Sequence, residues 1–339
     1  MKVLITGATG LIGSQIIEDC IKSNIKVNFL TTSKSKITKS NLVNGYYWNP
    51  NKKIIDLECF CEVDSIITLS GSSIFKPWTS RNRRKILNSR VESLEFLKQS
   101  IIENGISIKR LVSASGISFY PDSKEKEFFE NDTTNDNSFL AEVINRWESA
   151  ANSFEKIGIN VSVIRIGLVL SIKAGVLKQT IMPMNFGFGI VFGSGEQWQS
   201  WIHIEDISRI FLFIMENNLD GVYNGVSNNP VKNIEFTRII SVIHSKSRII
   251  IKIPRIFFRI LFGEMHVLLF KSHKISSRKI QDEGFSFKFA NLKDAVKDII
   301  RWQFDILFNI GSTFAMGISN DYNLLLIWVK KDLKKLKSQ

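Results

Sequence analysis

The chain has 339 residues, 44% of them hydrophobic and 23% charged, and carries a formal net charge of +13. That length holds one large α/β domain plus a smaller one with ample core, and the proportions are those of a soluble globule, not of a disordered or fibrous chain. The basic balance raises nucleic acid and anionic membranes as partners, but the lysines are spread among Asn and Ile, and only the KKDLKKLK end is a true cluster, which a solvated helix end explains.

Lys2 to Thr6 is an apolar run of strand length, followed by GATGLIG with glycines at Gly7, Gly10 and Gly13. Ile12, Ile16, Ile17, Cys20 and Ile21 then recur at helical spacing, and Val27 to Leu30 begins a second buried strand. The pattern predicts a β-α-β unit. Glycine at its turn permits backbone conformations that a Cβ forbids and lets a pyrophosphate approach the amides at a helix N-terminus. Gly13, one turn in, allows close packing of helix on strand. The spacing is GxxGxxG, a variant of the commoner GxGxxG, and a glycine trio alone is equally a structural turn; the flanking strand, helix and second strand favour a dinucleotide site. TGATGLIG also resembles the start of the extended short-chain dehydrogenase/reductase proteins.

The residues after the second strand select the nicotinamide cofactor. NAD sites place Asp or Glu there for the ribose 2'-hydroxyl, and NADP sites exclude the acid and supply a cation. This chain reads Thr31-Thr32-Ser33-Lys34-Ser35-Lys36, without an acid. The expectation is NADP, with NAD as the alternative and with Thr32 and Lys34 near the 2'-phosphate; a solvated basic loop reads equally well.

Tyr46 to Asp56 reads as a turn-rich insertion broken at Asn49-Pro50. Val63 to Leu69 is a third buried strand ending in Ser70-Gly71, a small residue and a glycine where backbone can lie against a cofactor. Residues 79–104 form a long amphipathic helix with Ile86, Val91, Leu94, Leu97 and Ile101 on its apolar side, and Lys109 to Ser115 is the next strand. Cys20, Cys59 and Cys61 have no metal or redox spacing and read as reduced structural residues, and no metal site is expected. A strand beginning at residue 2 leaves no room for a leader, and no run of about twenty apolar residues suggests a spanning helix.

In the extended short-chain dehydrogenases a Ser or Thr closes this strand and a YxxxK motif opens a later helix, the tyrosine serving as acid/base, the lysine lowering its pKa and holding the nicotinamide ribose. Ser115 stands in the serine place, but Phe139-Leu140-Ala141-Glu142-Val143 stands in the place of YxxxK. Phenylalanine exchanges no proton and valine carries no charge. Two explanations compete: loss of the reaction, or a different acid in the pocket. Tyr120 is the substitute by position, and a tyrosine packed at a loop edge is the alternative.

TGATGLIG, the Leu69-Ser70-Gly71 strand end, Asn88-Ser89-Arg90-Val91-Glu92-Ser93, SASGISFYP, FLAEV followed by Trp147-Glu148, Arg165-Ile166-Gly167-Leu168-Val169-Leu170 and GSGEQWQSWIHIEDI together resemble one branch of that superfamily. It is the atypical group called epimerase family proteins, of the NAD-dependent epimerase/dehydratase superfamily, also labelled sugar-nucleotide epimerases or, in cyanobacteria and plastids, cell-division inhibitors. The resemblance covers roughly residues 1–300. It implies a Rossmann fold, a doubly wound parallel α/β sheet with a small C-terminal cap. It places NADP along Gly7, Thr9, Gly10, Leu11, Ile12 and Gly13, with contacts from Thr31, Thr32, Leu69, Ser70, Gly71, Arg90 and Val169. The family usually has Arg at the place of Thr32, and Gly-Tyr-Tyr-Gly where this chain has Ser118-Phe119-Tyr120-Pro121. The loss of YxxxK is shared with the family.

Further on, Ile159 to Ile166 is a strand, and Leu177 to Gly193, with Pro183 and several glycines, reads as a substrate-side lid. Trp198 and Trp201 are candidates for a stacking wall and His203 for a proton carrier, although a histidine two residues before an acidic helix start is more often structural. Gly221 to Val226 is a strand, and Ile234 to Ile243 a helix. Pro254 to Phe270 is strongly apolar and reads as core of the cap rather than as a membrane-surface helix. The expected division is 1–245 Rossmann domain, 246–300 cap and 301–339 an extension without assigned role.

The reading that results is an NADP(H)-binding protein, an oxidoreductase or isomerase acting on a small or nucleotide-linked substrate. Its rival is a non-catalytic NADP(H)-binding regulatory protein. No nucleic acid partner, a monomer or homodimer, and a cytoplasmic location (or plastid stroma for a plastid-encoded chain) complete the expectation.

Overall fold

Lys2–Thr6 (β1) turns at Gly7 into helix Leu11–Lys22 (α1), which returns to Lys26–Thr31 (β2), the β-α-β unit that the periodicity predicts. This computed structural model describes residues 1–133, 136, 138–244 and 249–301. Met1–Lys297 is one compact unit and a second begins at Asp298; the run Leu324 to Val329 and the basic end lie outside the described residues.

After β2 come Val43–Asn49 (β3), Ile54–Ile55 (β4), Ser65–Thr68 (β5), the long helix Ser80–Glu103 (α2) and Arg110–Gly116 (β6). Glu127–Phe128 (β7), helix Phe139–Asn152 (α3), Asn160–Ile166 (β8), Leu168–Leu170 (β9), helix Val176–Met184 (α4) and Phe188–Phe192 (β10) follow. Then come Trp198–Gln199 (β11), Trp201–His203 (β12), helix Ile204–Glu216 (α5), Gly221–Gly225 (β13), Val231–Lys232 (β14) and helix Asn233–His244 (α6). Ile249–Ile253 (β15), helices Arg255–Phe262 (α7) and Val267–Phe270 (α8), Lys274–Ile275 (β16) and helix Arg278–Asp282 (α9) come next, and residues 292–301 are helical at the end of the described chain.

The central sheet has the order β13-β8-β6-β5-β1-β2-β3-β4. Its pairings are parallel except for β4, which runs antiparallel to β3. Strand order reverses at β1: β2 lies on one side of it and β5 on the other. Because crossovers are right-handed, that reversal sends α1 and α2 to opposite faces. Helix α1 packs on α5, where Ser208 donates to Asp19 at 2.7 Å, and α2 packs on α3, where Lys98 donates to Ser153 at 2.7 Å. Covered on both faces, the inner strands are almost wholly apolar and buried, which is why β1 and β5 read as continuous rather than alternating runs.

Two segments differ from expectation. The supposed insertion Tyr46 to Asp56 adds β3 to the sheet, paired with β2 from Val27↔Val43 to Thr31↔Tyr47, and Asn49 and Pro50 only end that strand. Its aromatic residues pack on the sheet, with Trp48 buried, and tertiary pairing overrides the local turn signal. In the supposed lid, 177–193, Val176–Met184 is helical and Phe188–Phe192 pairs in parallel with β15.

Candidate functional site: the crevice at the strand-order reversal

A doubly wound sheet binds ligands outside the C-terminal ends of its strands where the strand order reverses. Here that point is the space beyond Thr6 and Thr68, the ends of β1 and β5. Gly7 has φ +70°, and a Cβ there would stand 2.7 Å from the Leu69 carbonyl carbon and 2.9 Å from the Ser70 nitrogen. A Cβ on Gly13 would stand 2.5 Å from the Gly7 oxygen. These two glycines let three backbones meet. The Gly10 N–H donates to the Gly7 carbonyl at 2.9 Å, which closes the turn and sets Gly10 as N-cap of α1 without any capping side chain. No acid occupies the first helical turn. The first-turn amides, without intrahelical acceptors, and the positive helix end are therefore left for an anion. This cradle, which side chains would fill, fits the pyrophosphate of a dinucleotide.

At the adenosine end, Thr31 is buried and its hydroxyl accepts from the Ser33 N–H at 3.2 Å, whereas Thr32 is exposed. Lys34 lies over the Tyr47 ring, 5.3 Å from its centroid. Lys36, two residues on in the same 3-10 turn, reaches back 27 residues and donates to the Thr9 hydroxyl at 3.3 Å. Sequence reasoning missed Lys36, because its nearness to the glycine turn depends on how the turn folds. Beyond β5, the Arg90 guanidinium donates to the carbonyls of Ser72 at 3.1 Å and Ile86 at 2.9 Å and stacks over Trp147. A Cβ on Gly71 would stand 2.8 Å from its central carbon, so the glycine makes room for the arginine. Burial pushes the Arg90 pKa down to about 10, still charged near neutrality.

Strand β6 ends at Ser115 and Gly116, and Ser115 donates its hydroxyl proton to Glu148 Oε1 at 2.6 Å. Glu148, on α3, is also gripped at both oxygens by Arg165 of β8, each bond 2.9 Å. Arg165 in turn donates to the Tyr120 hydroxyl at 3.1 Å and stacks on Phe119; the Tyr120 hydroxyl donates to Asn224 at 2.8 Å. The result is a buried chain, Ser115–Glu148–Arg165–Tyr120–Asn224, across four elements of the fold. Burial works against the charge of Arg165, but its bond to Glu148 raises its pKa. Burial, only partly opposed by Arg165, pushes Tyr120 up to about 12. A serine has one proton to give. With that proton on Glu148, Ser115 can only accept from a further partner.

Glu148 was not singled out from the sequence, although its place among Ile144, Trp147 and Ala151, all buried, is a legible signal: an acid on an apolar helix face. At the two positions of the missing motif, Phe139 packs edge-on against Trp78 at 5.3 Å and Val143 is buried.

The downstream candidates are dispersed. Trp201 is fully enclosed and gives its indole N–H to the Asn229 carbonyl at 2.8 Å. Trp198 has the Lys232 and Lys274 ammonium groups over its ring, 5.8 and 5.5 Å from the centroid, and donates to the Lys124 carbonyl at 2.9 Å. His203 caps α5, its Nδ1 accepting from the Glu205 N–H at 3.1 Å, and its ring lies on Phe289; burial lowers its pKa to about 4. Asp206 is fully buried and accepts the backbone N–H groups of Lys288 and Phe289, each at 2.9 Å, which fastens the 284–289 segment to α5. Val169 sits half-buried on β9, paired with Ile202. In the apolar run 254–270, Phe258 is the buried side chain of α7, whereas Ile256, Phe257, Ile260 and Leu261 are exposed, against the expectation of core packing. Among the described residues no helix is long and apolar enough to cross a membrane.

Comparison with known proteins supports the family and the fold. Residues 3–228 match the model of the NAD dependent epimerase/dehydratase family, and residues 253–299 match a domain of unknown function, DUF1731. An epimerase family protein of Staphylococcus aureus strain MRSA252 is 30% identical over 301 residues, spanning 88% of this chain and 99% of the relative. A counterpart in Staphylococcus haemolyticus is 30% identical over 305 residues, 88% of this chain and 99% of that protein. Among solved structures, a human epimerase family protein crystallised with NADPH is 25% identical with a TM-score of 0.76, over 88% of this chain and 99% of that one. MoeE5 in complex with UDP-glucuronic acid and NAD shares the fold, at 18% identity and a TM-score of 0.74 over 90% of this chain and 99% of that one.

Proposed function

The chain belongs to the NAD dependent epimerase/dehydratase family, and from that premise we propose that it is an NADP(H)-binding oxidoreductase or isomerase acting on a small or nucleotide-linked substrate. The observation that carries the nucleotide site is the side-chain-free cradle of Gly7, Gly10 and Gly13 against Leu69 and Ser70. The absence of any acid from Thr31 to Ile55 favours NADP over NAD, and a relative crystallised with NADPH supports the choice. In this reading the α1 amides would hold the pyrophosphate, with the Leu69 and Ser70 backbone beside it. The nicotinamide, when bound, supplies hydride acceptance and donation. Ser115, held as an acceptor by Glu148, would receive a hydrogen bond from a substrate hydroxyl and so orient an alcohol.

A second reading, nucleotide binding without turnover, draws on one specific observation. Phe139 and Val143 carry no proton, Tyr120 stays neutral to about 12, and His203 stays neutral down to about 4. None of these groups titrates near neutrality.

Titration of the purified protein with NADPH and NADH, followed by tryptophan fluorescence, tests the site. We expect saturable NADPH binding that Gly10→Glu abolishes, since a carboxylate there meets the pyrophosphate. A folded protein that binds neither nucleotide overturns both readings. Oxidation of NADPH with carbonyl or sugar-nucleotide substrates then separates them.

A further inference from the structure

The end of β2 and the glycine turn after β1 are distinct pieces of backbone, and the adenosine ribose of a dinucleotide held at that turn would reach toward the end of β2. Thr32, at the end of that strand, has no charge and is exposed. Lys34 holds its ammonium over the Tyr47 ring, on β3. Lys36 alone of the two lysines in this turn donates to the glycine turn, through the Thr9 hydroxyl at 3.3 Å.

We infer that Lys36, bridged to Thr9, is the cation that selects a 2'-phosphate, so that this chain meets the charge requirement of NADP(H) with a lysine from the 3-10 turn. The inference rests on the proposed nucleotide site. An ammonium has three donors, of which the Thr9 bond uses one, and the Thr9 hydroxyl, accepting from Lys36, keeps its own proton to give. The bond thus brings donors from the glycine turn and from the turn after β2 to within 3.3 Å of each other. The stretch Thr31 to Ile55 contains Lys34, Lys36, Lys39, Lys52 and Lys53 and no Asp or Glu to oppose a phosphate. A 2'-hydroxyl, uncharged, gains little from this arrangement, so the lysine discriminates by charge rather than by shape.

The test is binding, not turnover. Affinities of wild type, Lys36→Gln and Lys34→Gln for NADPH, NADH, 2',5'-ADP and 5'-AMP are measured by calorimetry at low and at physiological salt. Lys36 is exposed, so its replacement leaves folding intact, which circular dichroism checks. We expect Lys36→Gln to weaken NADPH and 2',5'-ADP about tenfold, the loss of one charge-assisted hydrogen bond, with NADH and 5'-AMP unchanged. The wild-type preference for NADPH over NADH should fall as salt rises. Binding of NADPH that Lys36→Gln leaves unaltered, a loss that follows Lys34→Gln instead, or equal losses for NADPH and NADH would overturn the inference while leaving the nucleotide site in place. Binding of neither dinucleotide by wild type would remove the site itself.

Discussion

At the Tyr120 hydroxyl two hydrogen bonds meet in a fully buried position, one accepted from Arg165 and one given to Asn224. Removing that oxygen leaves a buried guanidinium N–H and a buried amide oxygen each short of a partner, which costs about 1–3 kcal/mol. Tyr120→Phe is therefore expected to lower the unfolding free energy in urea by about that amount. If the residue instead packed at a loop edge with its hydroxyl in water, stability would be unmoved. Ser115→Ala removes a donor to a carboxylate that Arg165 still holds at both oxygens, and a loss nearer 1 kcal/mol is expected in the same measurement. From the residues alone, Ser115 and Tyr120 were recognisable as candidates; their partners were not. Glu148 and Arg165 lie 33 and 45 residues from Ser115 and Tyr120 along the chain, and the pairing exists only because β6, β8 and α3 pack together.

Helix α1 and the glycine turn show where an element depends on single positions. A methyl group on Gly13 would stand 2.5 Å from the Gly7 oxygen and 2.7 Å from the Ala8 Cα, both main-chain atoms that cannot rotate away. Gly13→Ala should cost about 1–3 kcal/mol of stability, read from the urea midpoint, and should weaken dinucleotide binding, read by fluorescence, because the helix N-terminus must retreat. An unchanged midpoint would show that the helix shifts freely on the strand. This element was fully legible, since strand length, glycine spacing and helical period are local signals. Strand β3 was not. Its Tyr-Tyr-Trp run and Asn49-Pro50 gave contradictory local cues, and pairing with β2 decided between them. Helix α4 likewise formed across a stretch whose Pro183 and glycines suggested a loop.

For the molecule as a whole, acid should be the weak side of its stability. His203 and His273 are buried, and burial lowers the pKa of each from 6.5 to about 4; for His273, Lys271 adds to the depression. The unfolded chain then binds more protons than the folded one between those values, so stability is fully present above about pH 6.5 and is lost as pH falls through about 4. The His273 Nε2–H donates to the Tyr120 carbonyl at 3.0 Å, a role that a glutamine amide can fill. His273→Gln should accordingly flatten the acid limb of a urea-midpoint profile by up to about one proton in slope. A profile with the same slope in both proteins would mean that His273 titrates alike folded and unfolded. Tyr120 acts at the other extreme: with its pKa up from 10 to about 12, stability falls as pH rises across that window.

The sequence by itself determined the sheet's type, the glycine turn, the absence of an acid after β2 and the family, because each is carried by short-range period or by an ordered set of motifs. Tertiary structure alone decided which lysine reaches the glycine turn, which acid holds Ser115 and which aromatic residues are enclosed. Those are meetings of residues far apart in the chain, and no local preference encodes a distance that crossovers and helix packing set.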